Sequence, residues 1–189
     1  MRLRIKTKPE WLSLVLSQFD SFLLDHALCE RKASALAMSL VAHYPDKTQL
    51  VKLMVDLAIE ELDHFRQVYA LIRERGLVLG PDEKDDYVNK LRSLMRKTSE
   101  EYFLDRLLIA SIIEGRGTER FSLVANGLED IRLKNFYMQF YKSEARHHGL
   151  FLRLARNYFS PTVVESRYDY LLDQEALIID SLPLRSAVH

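Results

Sequence analysis

Apolar residues recur at spacings of three and four along most of this chain, and no stretch keeps up the alternation of a half-buried strand. Four long segments carry the helical pattern. The first, over about residues 20–44, sets Leu23, Ala27, Glu30, Ser34, Ala37 and Val41 on one line. The second runs from Asp46 to about residue 75 along Met54, Ala58, Glu61, Phe65 and Val68. The third, from Thr98 to about residue 127, follows Phe103, Leu107, Ala110, Glu114, Gly117 and Phe121. The fourth covers 129–159 along Phe136, Phe140, Glu144, His147, Phe151 and Leu154. Shorter helices are predicted after Pro9, over 87–96, and from Ser160-Pro161 to just before Pro183. Asp46 is placed to cap the second long helix, and Thr98 with Glu101 has capping-box spacing.

Short connections inside each pair of long helices make the partners antiparallel neighbours. The longer segment 76–98, with Gly76, Gly80 and Pro81, joins the pairs. Two hairpins linked by one long crossover is ferritin-like connectivity. The expectation is an all-α, ferritin-like four-helix bundle with one long crossover and additional short N- and C-terminal helices, in a single domain over 1–189. Few breakers, six glycines and five prolines in 189 residues, fit that class better than a turn-rich sheet protein. A formal net charge of zero and a pI near 7.0 advertise no polyanionic partner through the totals, but leave room for a local basic face. Cys29 is the sole cysteine, so no intramolecular disulfide forms. The opening MRLRIKTKPEW lacks an apolar leader, and runs such as Leu107–Ile113 are too short to span a bilayer, so a cytoplasmic protein without a membrane partner is expected.

The apolar lines contain residues that do not belong in a dry core. Glu30 and Glu114 each sit alone on their stripes, whereas Glu61 with His64 and Glu144 with His147 form Glu-x-x-His pairs. At i, i+3 such side chains are neighbours and can hold one metal together. A single pair is weak evidence. The spacing decides the matter: Glu30 and Glu114 are 84 residues apart, while Glu61 and Glu144, and likewise His64 and His147, are 83 apart. Four buried carboxylates cannot persist as bare charges, and two divalent cations would neutralise them. One glutamate from each of two helices plus Glu-x-x-His from the other two is the ligand set of di-iron and di-manganese bundles. His148 is turned about 100° from His147 and reads as a flank residue. His26, His43 and His189 read as ordinary core or surface histidines, and Glu60 and Glu119 face away from the ligand lines. Thr118, one turn after Glu114, either faces the pocket or bonds back to a helix carbonyl, with the two readings evenly weighted. Gly115 and Gly117 beside it provide room at the pocket wall.

The segments LCERKASALA, IEELDHFRQVY, IEGRGTERF and YKSEARHHGLF, with their order and the chain length, resemble the MiaE family of tRNA hydroxylases, and the resemblance covers nearly the whole chain. It implies a non-haem di-iron monooxygenase with two Fe ions held by Glu30, Glu61, His64, Glu114, Glu144 and His147, and a threonine, Thr118, lining the oxygen side. It further implies O2 as co-substrate and, as substrate, the tRNA anticodon stem-loop bearing 2-methylthio-N6-isopentenyladenosine, hydroxylated at a terminal allylic methyl. No flavin, nicotinamide or iron–sulfur pattern is present in the sequence, so an external two-electron donor, a separate reductase, is expected. A monomer is expected. Cations for RNA phosphates are sought in Arg2–Lys8, in Lys90–Lys97 with Arg92, Arg96 and Lys97, and at Arg116 and Arg120. The competing readings are a ferritin- or rubrerythrin-like iron or peroxide protein and a quinone-type di-iron hydroxylase.

Overall fold

The computed structural model describes residues 3–189, so Arg2 of the N-terminal basic run lies outside the described residues. Seven helices and no strand occur among them: α1 (Pro9–Ser17), α2 (Phe19–His43), α3 (Thr48–Glu74), α4 (Asp86–Ser93), α5 (Ser99–Gly127), α6 (Ile131–Tyr158) and α7 (Pro161–Ser181). The four long helices fall where the periodicity places them. The C-terminal helix is not short, however: α7 has 21 residues and buries Val164, Tyr168, Leu171, Leu172 and Glu175. Its bounds agree with the predicted span from Ser160-Pro161 to just before Pro183, so only its description as short is corrected.

Two capping expectations are corrected. Lys47 occupies the N-cap of α3 without a side-chain bond, and Asp46 instead meets the Lys47 ammonium at 3.4 Å. At α5 the Thr98 hydroxyl donates to Glu101 Oε2 at 2.6 Å, so the two side chains bond each other rather than the backbone. The caps that do form are Asp85, accepting from Val88 N at 2.9 Å, and Asp130, accepting from Arg132 N and Leu133 N. Gly76, at φ 70°, ends α3 with Leu77 N donating to Ile72 O and Gly76 N to Arg73 O, the paired bonds of a Schellman turn.

The helices group into two compact units. The unit of residues 17–83 with 186–188 is the α2–α3 hairpin. Its antiparallel pairing is visible in Ser34 Oγ donating to Ala58 O at 2.8 Å and, at the far end, Arg75 Nε reaching Asp20 Oδ1 at 2.6 Å. Leu23, Ala27, Ala37, Leu40, Met54, Ala58 and Val68 are buried in it, leaving Glu30, Glu61 and His64 in apolar surroundings.

The other unit takes residues up to Leu16, 84–185 and His189, and is built on the α5–α6 hairpin with α1, α4 and α7. Phe121 packs on Phe140 with ring centroids 5.7 Å apart, and Phe103 on Tyr158 at 5.3 Å, which fixes the two helices antiparallel. Because α5 is covered on nearly all sides, even its charged residues are enclosed. Arg116 and Glu175, both fully buried, pair at 2.7 Å, and Tyr87 Oη donates to Glu175 Oε1 at 3.0 Å. Asp105 is fully buried between Arg96 and Arg167. Residues 4–8 are strapped across this unit. Arg4 pairs with Asp169 and Asp173, Lys8 pairs with Asp180, Thr7 donates from N and Oγ1 to Glu119, and the Ile5 carbonyl accepts from Arg116 at 3.2 Å.

Candidate functional site

Each hairpin buries one glutamate from one helix and a Glu-x-x-His pair from the next. In the α2–α3 hairpin, Glu30, Glu61 and His64 each offer a donor atom within 4.8 Å of the others. His64 Nδ1 lies 3.0 Å from Glu61 Oε2 and 3.6 Å from Glu30 Oε2. Burial alone would push the His64 imidazole down, but hydrogen bonds and charge from Glu30 and Glu61 outweigh it and lift the group to about 10. A proton held there partly neutralises two enclosed carboxylates, the role a cation would take over.

His26 is part of this arrangement, contrary to the expectation that it is an ordinary core histidine. It is fully buried, 6.1 Å from the Phe22 ring in a stacked pose, and its Nε2 stands 2.6 Å from Glu30 Oε1. Burial, helped by the nearby His64, lowers its pKa to about 3, so the ring is neutral. A carboxylate only accepts, so Nε2 carries the hydrogen and donates. The signal was present in the sequence, since His26 is one helical turn before Glu30. Glu60, set aside on the sequence, reaches 3.9 Å from His64 Nε2 and is partly exposed.

In the α5–α6 hairpin, Glu114, Glu144 and His147 also offer donor atoms within 4.8 Å of one another, and all three are buried. His147 Nδ1 is 3.8 Å from Glu144 Oε2, and its Nε2 is 3.4 Å from the buried Ser143 Oγ. Gly117 lies against Glu144; a Cβ there would meet Glu144 Cγ at 3.9 Å, an ordinary contact, so the glycine is not demanded by space.

A sequence model of the family described as tRNA-(MS[2]IO[6]A)-hydroxylase matches residues 1–189. The chain belongs to the MiaE family. It is 38% identical over 152 residues to a Pseudomonas putida tRNA 2-(methylsulfanyl)-N(6)-isopentenyladenosine(37) hydroxylase, a match covering 80% of this chain and 74% of that protein. A Salmonella typhimurium protein of the same name is 32% identical over 131 residues, 69% of this chain and 48% of the relative, so the match spans about half of the Salmonella protein. Among solved structures, "Protein 43 with aldehyde deformylating oxygenase activity from Synechococcus" superposes with a TM-score of 0.95 and 33% identity, covering 100% of this chain and 96% of that one. The fold is ferritin-like.

The donors of this MiaE-family chain fit iron. Carboxylate and imidazole groups without thiolate suit Fe or Mn over a closed zinc site. Thr118 is buried, and its hydroxyl donates to the Glu114 carbonyl at 2.7 Å, the helix-bonded alternative weighed on the sequence; its oxygen lone pairs stay available to accept.

The cations sought for RNA fare differently. Arg116 is fully buried against Glu175, not at a pocket mouth. Arg120 is buried 4.7 Å over the Trp11 ring, and burial, with Arg116 close by, lowers it to about 10. Arg96 is bound to Asp105 and Glu101. Arg4 and Lys8 pair with acids of α7. Arg92 and Lys97 are exposed. The α7 partners of Arg4, Lys8 and Arg116 lie far along the chain and could not be read from the sequence, whereas Glu101 and Asp105 are only five and nine residues from Arg96.

Proposed function

We propose that this chain is an oxygen-dependent tRNA hydroxylase acting on the N6-isopentenyl group of 2-methylthio-N6-isopentenyladenosine next to the anticodon, at a terminal allylic methyl. The observation that carries the reading is the duplicated buried set, Glu30, Glu61 and His64 in one hairpin and Glu114, Glu144 and His147 in the other, in a chain matched along its whole length by the MiaE family. These six residues would hold two irons as a single working domain. Bound iron supplies activation of O2, so that one oxygen atom enters a C–H bond and the other leaves as water, with two electrons from an external reductase and two protons.

The chain's own residues do the rest. The four carboxylates balance the cations, and the imidazoles complete the donor set while leaving positions open. Leu107, Ala110, Phe121, Phe140 and Phe151 wall the α5–α6 donors with apolar surface and keep water from them. The prenyl chain lies against α5 beside Glu114 and Thr118, with Thr118 Oγ1 orienting a proton. No helix among the described residues is long and apolar enough to cross a membrane; the proposed setting is the cytoplasm, where tRNA is found, with the protein as a monomer.

Nucleoside analysis of tRNA from cells with and without the gene tests this directly. The hydroxylated nucleoside should vanish on deletion and be formed in vitro from isopentenylated tRNA, O2 and a reductant, while tRNA lacking the prenyl group stays unreacted. The structural likeness to the Synechococcus protein favours a second reading, an aldehyde deformylating oxygenase activity. Turnover of an aldehyde with inert prenylated tRNA would select that one.

A further inference from the structure

Arg116 and Arg120 are buried, Arg96 is bound to Asp105 and Glu101, and Arg4 and Lys8 are in exposed pairs with acids of α7. Few of the cations sought on the sequence stay open, Arg92 and Lys97 among them, and a denser basic face lies elsewhere. Helix α6 offers it. It carries Arg132, Lys134, Lys142, Arg146, Arg153 and Arg156, and its single acid, Glu144, is buried among the proposed ligands. Five of these six cations are exposed and Lys134 is partly so. By contrast, α7 has Glu165, Asp169, Asp173, Glu175 and Asp180 against Arg167 alone. The zero net charge therefore hides a sharp separation of sign between helices.

At 100° per residue, Lys142, Arg146, Arg153 and Arg156 fall within an arc of roughly 80° on the side of α6 opposite Glu144, His147 and Phe151, and they extend roughly 21 Å along the axis. Lys142 and Arg153 make no ion pair among the described residues. Arg156 meets Glu165 at 2.5 Å, but both are about half exposed, and such surface pairs are worth only about 0–1 kcal/mol and exchange readily. Gly149 keeps the stripe continuous: a Cβ there would stand 3.2 Å from Arg153 Nη1, so its absence lets the guanidinium lie along the helix. The neighbouring positions on this face include Asn135 and Gln139, exposed amides that suit sugar hydroxyls, beside the half-buried Met138 and the exposed Ile131.

We propose that this face of α6 binds the sugar-phosphate backbone of the tRNA stem. The inference rests on the tRNA-hydroxylase reading and adds the surface that reading lacks. A membrane headgroup layer would need a run of apolar residues beside the cations to insert, and on α6 the one exposed large apolar side chain is Ile131, at the helix's far N-terminal end. Double-stranded RNA is recognised mainly through phosphates and 2′-hydroxyls, which this pattern of cations and amides fits. RNA laid there is about one helix diameter, roughly 10–12 Å, from Glu144 and His147 on the inner side.

The test is a Lys142→Glu/Arg153→Glu/Arg156→Glu triple variant of the iron-loaded protein, with fluorescently labelled isopentenylated tRNA as probe. Arg146 is left intact because it donates to Ser143 Oγ beside His147. The Kd for tRNA should rise at least tenfold and the log K against log salt slope should become shallower by about 2–3, with iron content and melting temperature unchanged. The corresponding triple glutamine variant should fall between. A control reversing Lys52, Arg66 and Arg73, exposed in the other unit, should keep most of the affinity despite the same charge change. Unchanged affinity and slope in the α6 variant, or equal loss in the control, overturns the surface while leaving tRNA hydroxylation standing. Wild-type protein that binds phosphatidylglycerol vesicles through these residues and neither binds nor modifies tRNA overturns both.

Discussion

His26 donates from Nε2 to Glu30 Oε1 across 2.6 Å, inside a part of the α2–α3 hairpin where neither side chain is open to solvent. The bond occupies one carboxylate oxygen and turns the other, Oε2, toward His64 at 3.6 Å. Partners of this kind fix how a ligand is presented. His26→Phe keeps a ring near Phe22 but removes the donor, and it should weaken iron binding about 10–100-fold in a chelator competition while the circular dichroism stays native. Undiminished affinity would make His26 a packing residue.

Glu114→Ala and His147→Ala should each bind clearly less iron than the wild-type protein, measured by metal analysis after reconstitution. Because the metal also neutralises enclosed carboxylates, its removal should lower the melting temperature. The linkage amounts to about 4 kcal/mol at a thousandfold excess of metal over its Kd. Apo- and iron-loaded protein melting together would count against the assignment.

For Thr118, the substitution to valine preserves shape and loses the bond to the Glu114 carbonyl. Iron should remain and stability should change by no more than about 1 kcal/mol. The ratio of hydroxylated nucleoside to O2 consumed should fall. An unchanged ratio would leave the threonine with its helix bond alone.

Asp105 provides a prediction outside the site. Burial would raise its pKa, but bonds from Arg96 and Arg167 prevail and hold it below the usual 3.8. A folded-state value below the unfolded one stabilises the protein above pH 3.8, and that contribution is lost as pH falls through the folded value. Asp105→Ala should cost about 3–5 kcal/mol near neutrality by stranding two arginines. The gap between wild type and variant in urea midpoint should narrow at pH 3.

The parts of this molecule that repeat at short range could be read from its sequence. The stripes through Glu30, Glu61, Glu114 and Glu144 follow from helical periodicity, and the matching offsets between the halves marked these residues as a set. The family resemblance added the substrate, which no stripe encodes. The pairing of Arg116 with Glu175, 59 residues away, could not be read, because nothing local distinguishes an arginine heading inward from one heading out. That is why Arg116 and Arg120 were sought at the surface. On α6 the same periodicity that locates Glu144 and His147 also locates the outer cations, and only their exposure in the folded chain separates them from the committed ones.

The segment 4–8 resembles a dispensable polar leader, yet Thr7 supplies two of the donors to Glu119 and Ile5 supplies a carbonyl to Arg116. An enzyme trimmed to begin at Pro9 would leave a buried guanidinium short of an acceptor on the very helix that carries Glu114. Resistance of this segment to a protease would then report on the seating of α5, and a bulky affinity tag fused close to Arg4 would be a poor choice for work on the catalytic chemistry.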